Sequence, residues 1–290
     1  MKIAVICPFQ NERSQGYAQG VIEHLLERKV TVLVDANTVQ FLEDPDVASY
    51  VSVFESLPLD TDFLFCIGGD GSILRAIITV KDSNVPILGI NTGRLGFLTS
   101  LQKESLNIGL KQLWENKYSI IKRSLLEVKL PEAHQEIDSF PYALNEISVN
   151  RKNTASLISI DTRLDDQPLT TYWADGLIIS TPTGSTGYSL SSGGPIMSPQ
   201  TAGFVLTPIA PHNLNIRPLI IPDNTRIELE VTGRGEDHLL SLDSRIISVD
   251  QGTKILVKKA PFTVATVELH DNAFFKTLRD KLFWGLDTRN

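Results

Sequence analysis

The sequence predicts a doubly wound α/β domain over residues 1–120 and an antiparallel, β-rich domain over residues 121–269. Three observations carry this expectation. In the first third, strand-length apolar runs alternate with helical segments, which implies parallel strands with helices on both faces. After about residue 120 the pattern changes to β-branched runs separated by Asp-Asp, Gly-Arg-Gly, Asp-Ser and Gln-Gly turns. A length of 290 residues is near the upper limit of roughly 250–300 for one core, and a hydrophobic fraction of 42% can fill two.

Taken in order, "KIAVIC" is a buried strand, and Ser14 to Arg28 is a helix presenting Tyr17, Val21, Ile22, Leu25 and Leu26 on one face. "VTVLVD", "DFLFCI" and "VPILGI" are further strands, with the apolar segment "SILRAIITV" between the last two. "ESLNIGLKQLWENK" is a helix buried through Leu106, Leu110, Leu113 and Trp114. In the second domain "YALNEISVNR" reads as one strand. The tail returns to helical spacing through Phe274, Leu278, Leu282 and Phe283, with a cap at Asp271 or Asn272 and a stop near Gly285. This helix, about residues 270–290, is expected to rejoin the first domain.

Composition narrows the function. A net charge of −7 with no basic stripe argues against a nucleic-acid surface. The two cysteines, Cys7 and Cys66, lie inside apolar runs, so neither a disulfide framework nor a cysteine metal site is expected. No apolar run approaches the roughly 18 residues of a membrane span, and the N-terminal run is too short for a signal-peptide core. A cytoplasmic protein without a membrane partner is the expectation.

The stretch "CIGGDGSILRA", Cys66 to Ala76, places Gly68, Gly69, Gly71 and Ser72 at the carboxyl edge of a parallel sheet, where α/β sheets bind ligands. The following helix is expected to begin at Ser72, offering unpaired N–H groups and its positive end to phosphate. The spacing is neither GxGxxG nor GxxxxGK[ST], and the turn has no lysine. Asp70 would repel phosphate, so it is a metal partner, a base or the cap of the helix. A second motif, "ADGLIISTPTGSTGYSLSSGGPIMSP", is too long for a hairpin loop, and its hydroxyls suit a ligand rich in hydroxyl and phosphate groups. A flexible linker would not need its Tyr188, Leu190, Pro195 and Met197. "GSTG" around Ser185 is not the GxSxG of a serine hydrolase.

The set "GGDGS", "NTGRLGFL", "NEI", "ADGLIISTPTGSTGYSLSSGGP", "TPIAPHNLNIRP" and "LDSR" resembles the NAD kinase family, in the family's order across most of the chain. The resemblance implies phosphoryl transfer from ATP, another nucleoside triphosphate or polyphosphate to the adenosine 2′-hydroxyl of NAD, giving NADP. It also implies a first domain like those of phosphofructokinases and lipid kinases, a divalent metal such as Mg²⁺ and a homo-oligomer, a dimer or tetramer. By motif, Asp70 is the proton acceptor, with Gly71 and Arg75 beside it at the NAD site, and Phe97 flanks the adenosine. Asn145 and Glu146 hold the ribose and adenine, and Asp175 meets the nicotinamide end, reaching a neighbouring subunit. Thr186, Gly187, Tyr188, Ser189, Leu190 and Ser191, with Ala210 and the segment Asp243 to Arg245, complete the pocket. The metal ligands are unassigned.

Plainer readings stand beside these. Phe97 reads equally as core, Arg75 as a solvated helix residue, His212 as structural, and Asp243 with Arg245 as a surface ion pair. Two departures from the family stand out: Gly187 replaces a common alanine, which should loosen its loop, and Trp173 and Ala174 stand where some members carry arginine. A lipid kinase of related fold and a catalytically silent NAD(P)-binding sensor are the alternatives.

Overall fold

The structure, a computed structural model, describes residues 1–9, 12–93, 96–102, 105–152, 156–269 and 274–283. The expected cap at Asp271 or Asn272, the stop at Gly285, and Arg94 and Leu95 of "NTGRLGFL" lie outside the described residues. The chain forms two compact units, residues 1–122 with 264–290 and residues 123–263.

In the first unit the order is β1 (Lys2–Ile6), α1 (Glu12–Glu27), β2 (Thr31–Asp35), α2 (Ala36–Val39), α3 (Pro45–Ser49), β3 (Ser52–Phe54) and β4 (Phe63–Ile67). There follow α4 (Asp70–Val80), β5 (Ile87–Asn91), β6 (Leu101–Gln102) and α5 (Leu106–Trp114). The strands run parallel in the order β5-β4-β1-β2-β3. Alternation along each strand gives the sheet two apolar faces. Val21, Ile22 and Leu25 of α1 and Leu110 and Leu113 of α5 share one core cluster with Ile3, Val5, Phe65, Ile67, Leu88 and Ile90. Gly89 belongs to the other face, where an added Cβ would lie 2.9 Å from Ile73 of α4. Helices therefore cover both faces, the doubly wound arrangement the alternation predicted. Cys7 joins the first cluster and Cys66 has the opposite parity, so the two buried thiols remain free.

The second unit begins within β7 (Tyr118–Lys129) and continues through α6 (Gln135–Asp138), β8 (Tyr142–Ala143), β9 (Glu146–Asn150), β10 (Ile158–Leu164), β11 (Gln167–Ala174) and β12 (Gly176–Ser180). A 3₁₀ turn (Gly184–Thr186) and α7 (Tyr188–Ser191) lead to β13 (Gly203–Ile209), β14 (Leu219–Pro222), β15 (Ile227–Thr232), β16 (Asp237–Leu242), β17 (Arg245–Asp250) and β18 (Lys254–Leu269). The antiparallel order β14-β13-β12-β9-β16-β17 makes one sheet, and β10, β11, β15 and the start of β18 pair antiparallel in another. Their inward residues, among them Ile160, Leu229 and Val257 from one and Val149, Ile179 and Leu240 from the other, form a single core. The Asp165-Asp166 hairpin has both residues at positive φ, +47° and +66°, as a two-residue turn that matches strand twist requires.

"YALNEISVNR" is not one strand: Leu144 and Asn145 form a bend between β8 and β9. At the other end of the chain α8 (Phe274–Leu282) belongs to the first unit. Leu278 is buried, but Phe283, expected on the same helical face, lies past the end of α8 at φ +56° and is exposed.

His238 occupies an inward position of β16, in alternation with Leu240 and Leu242, and is fully buried. Burial pushes its pKa down to about 4, against the opposing pull of Asp237 and Asp250. The unfolded chain therefore binds the proton more readily, so the stability that depends on neutral His238 is complete above about pH 6.5 and is lost as pH falls towards 4. The urea midpoint should drop between pH 7.5 and pH 5, and His238→Leu should flatten that slope; an unchanged slope would show that other groups govern it.

Candidate active site

The carboxyl end of β4 and the start of α4 fold around Gly68, whose φ of +142° and closeness to Ser72 exclude a side chain. The helix starts two residues earlier than the sequence suggested. Its N-cap is Gly69, without a side-chain hydrogen bond, and Asp70 is its first residue. Asp70 therefore does not cap α4. Its carboxylate reaches outward instead, accepting the Phe97 N–H at 2.7 Å through Oδ2 and the Leu98 N–H at 3.0 Å through Oδ1. The Thr99 hydroxyl lies at 3.5 Å from Oδ1 and also accepts the Asn91 side-chain amide at 2.9 Å, linking the carboxylate to the end of β5. Gly96 permits this: a Cβ there would stand 1.7 Å from Asp70 Oδ1.

Phe97 is half-buried. Its ring centroid lies 6.2 Å from that of Phe274 and 4.7 Å from the Lys281 ammonium. Arg75, one turn into α4, is exposed, with its guanidinium 5.9 Å from the ring centroid of Phe9. Asp70, Gly71, Arg75 and Phe97 are thus brought together in the first unit.

The second unit has its own constellation at the bend before β9. The Asp243 carboxylate accepts the N–H groups of Leu144, Asn145 and Glu146 at 2.9, 2.8 and 3.2 Å, and the Asp243 N–H donates to Glu146 O at 3.0 Å. Burial pushes the Asp243 carboxyl up, while these donors and Arg245 pull it down. Arg245 donates to the carbonyls of Phe140 and Tyr142, so both residues hold the backbone around Asn145 and Glu146. Among the described residues Glu146 Oε2 and Asn145 Oδ1 are buried without a hydrogen-bond partner. Burial, with Asp243 nearby, pushes the Glu146 carboxyl up to about 8. A buried acceptor without a donor is costly, so this pair is suited to a ligand that brings donors.

Beside it, the segment from Thr181 to Gly194 is an ordered wall. Thr181 donates to Leu144 O at 2.6 Å, Ser185 to Pro182 O at 2.7 Å, and the Ser189 and Thr207 hydroxyls are 2.8 Å apart. These hydroxyls bond to the loop's own backbone and neighbours, and Ser189 is fully buried. Thr186, Gly187 and Leu190 are half-buried, and Tyr188 and Ser191 are exposed. Gly187 does not loosen the loop, because its N–H donates to Gly184 O at 2.8 Å and its carbonyl accepts from Leu190. An added Cβ would lie 3.4 Å from Glu146 Oε2.

Asp175 and Ala210 are not brought to that bend. Gly176 and Ile209 pair at the Asn150 end of β9, and Ser180 pairs with Glu146 at the other, so the two groups lie at opposite ends of one sheet, roughly 14 Å apart. Asp175 forms an ion pair with Arg151 at 3.0 Å, and the Arg151 N–H donates to Asp175 O at 2.9 Å. Arg151 is thus the cation beside Asp175, and only its place just after β9 could have pointed to it. His212 N–H donates to Trp173 O at 2.7 Å, a structural contact. Among the described residues no three His, Cys, Asp or Glu side chains gather to hold a metal.

Gly96→Ala should force Asp70 off the Phe97 and Leu98 amides and destabilise the protein by roughly 1–3 kcal/mol. Gly69→Ala, which meets nothing within 4 Å, should cost far less. Equal unfolding midpoints for the two variants would contradict the close packing of Asp70 on Gly96.

Comparison with known proteins agrees with this pattern. The family models for the ATP-NAD kinase N-terminal and C-terminal domains match residues 3–118 and 144–269. An NAD kinase of Christiangramia forsetii is 49% identical and one of Flavobacterium psychrophilum 48% identical, each over 100% of both chains. Among solved structures, an Archaeoglobus fulgidus NAD kinase in complex with ATP is 28% identical, with a TM-score of 0.75 over 98% of this chain and 99% of that one. A yeast NADH kinase complexed with NADH shares the fold at a TM-score of 0.84 and 24% identity, over 99% of this chain and 89% of that one. The chain belongs to the NAD kinase family.

Proposed function

We propose that the chain transfers the γ-phosphoryl group of ATP to the adenosine 2′-hydroxyl of NAD, giving NADP and ADP, with Asp70 as the proton acceptor. The observation that carries this reading is the fixed carboxylate of Asp70 at the first turn of α4, in a member of this family. Each Asp70 oxygen accepts one backbone N–H, and a carboxylate offers about four acceptor sites, so capacity remains for an incoming hydroxyl. As the 2′-oxygen attacks phosphorus its proton passes to Asp70 and the bond to ADP breaks. Base assistance of this kind contributes about 10²–10⁴-fold, with positioning and charge neutralisation supplying the rest. The Gly68 and Ser72 N–H groups donate to Ile90 O and Gly69 O, each at 2.9 Å, so of this turn it is Gly69 and Gly71 that serve the transferred phosphoryl group, with Arg75 further along the same helix.

In the second unit Asn145 and Glu146 take the dinucleotide's ribose and adenine, whose hydroxyl and amino donors would satisfy the buried Oδ1 and Oε2. Thr186, Gly187, Tyr188, Leu190 and Ser191 border that bend, and Asp243 and Arg245 act by holding its backbone. Asp175 and Ala210, at the opposite end of the same sheet, are assigned to the nicotinamide end of a dinucleotide held by a neighbouring copy in a dimer or tetramer. With no cluster of metal ligands among the described residues, Mg²⁺ is assigned to the donor's phosphates and water, its common habit in kinases. The two buried free thiols suit the cytoplasm, a reducing compartment.

Incubation with NAD, ATP and Mg²⁺ should yield NADP. Asp70→Asn should retain NAD binding while turnover falls by at least about 10²-fold; unchanged turnover would remove Asp70 from the chemistry, and binding without product in the parent protein would make it a sensor. Hydroxyl donors on Glu146 favour its ionised form, so a group at about 8 in the free protein must release its proton on binding. NAD affinity should therefore rise from pH 6 to pH 8, and Glu146→Gln should flatten that rise. Parallel pH profiles for the two proteins in a calorimetric titration would exclude the contact.

A further inference from the structure

The turn that carries Asp70 has no lysine of its own, yet the fold brings one to the loop that Asp70 holds. Phe97, whose N–H holds Asp70 Oδ2, presents its ring to the Lys281 ammonium at 4.7 Å, within the range of a cation–π contact. Lys281 lies in the last turn of α8 and is half-buried, and among the described residues it has no carboxylate within ion-pair distance. Phe274, from the first turn of α8, packs against the same Phe97 ring, so the helix is fixed to the loop at both of its ends. On α4 a second aromatic group carries a second cation: Phe9 borders Gly71, at 3.6 Å from its Cβ position, and Arg75 stands 5.9 Å from the Phe9 ring centroid. Among the described residues these two positive groups thus rest on rings rather than on carboxylates, one on the loop that Asp70 holds and one on α4, whose first turn is the positive end of a helix.

We propose that Lys281 binds the polyphosphate chain of the phosphoryl donor, which makes it a further binding residue of the reaction and α8 part of the donor site. This rests on the assignment of Asp70 to phosphoryl transfer. An aromatic face orients an ammonium without neutralising it, which leaves the charge and its N–H donors for an anion. The step needs such a charge, since the donor's oxygens accumulate negative charge beside the carboxylate of Asp70. The chain's net charge of −7 supplies no favourable background field, so the neutralising groups must be local.

Lys281→Met keeps an apolar stem on the Phe97 ring and removes the charge. The KM for ATP should rise roughly 10- to 100-fold, the range of a charged hydrogen bond, with the KM for NAD unchanged, and Lys281→Arg should restore most of the loss. Calorimetric binding of inorganic tripolyphosphate to the resting protein should weaken by a similar factor, a readout that requires no turnover and so separates this inference from the assignment of Asp70. An unchanged ATP KM with unchanged tripolyphosphate binding would overturn the proposal. So would a fall in thermal stability with both KM values shifted equally, which would reduce Lys281 to packing.

Discussion

The hydrogen bonds from the Phe97 and Leu98 amides to the Asp70 carboxylate organise the first unit's site. A carboxylate in the first turn of a helix would ordinarily turn back on its own N–H groups or point into water. Here it grips a loop that follows β5, so the end of one strand and the end of its neighbour become a single rigid edge. Gly96 is needed for the loop to come that close, and the Asn91–Thr99 contact fixes the loop's other side. The same interaction settles where the Phe97 ring faces, and the ring in turn receives Phe274 and Lys281 of α8.

The second unit solves its own problem by the same physical means. Asp243 binds three consecutive amides of the bend before β9, and Arg245 binds two carbonyls just upstream. Charged groups make stronger hydrogen bonds than neutral ones and can hold backbone that has left the β ladder. What that rigidity achieves is the exposure of a conflict: Asn145 Oδ1 and Glu146 Oε2 are fixed in a buried position without donors. Glu146 answers by holding its proton. The hydroxyls of the adjoining loop do not supply those donors, because they are committed to one another and to backbone carbonyls.

Much of this was legible in the sequence, and for identifiable reasons. Strand and helix periodicity is a local property, so the α/β rhythm of the first unit, the buried faces of α1 and α5, and the turn positions of the second could be read directly. The motifs also identified Asp70, Asn145 and Glu146 as unusual, since carboxylates among glycines and polar pairs inside apolar runs break the local pattern. The break between β8 and β9 was not legible, because "YALNEISV" has the composition of a continuous strand and the bend is imposed by Asp243, nearly a hundred residues away. The two units divide after Lys122 and before Val264, within the strands β7 and β18.

The sequence by itself determined the fold class, the family and the residue types available for chemistry, because these follow from periodicity and from the order of short motifs. Only the tertiary structure decided what those residues do to one another. It fixed Asp70 on a distant loop rather than on its own helix, made Asp243 and Arg245 supports of a bend, and gave Asp175 the partner Arg151. It also committed Ser189 to the interior and brought Lys281 to the ring of Phe97. The reason is common to all of them: a hydrogen bond or a charge contact acts over a few ångströms in space, and the fold alone sets which residues lie within that distance.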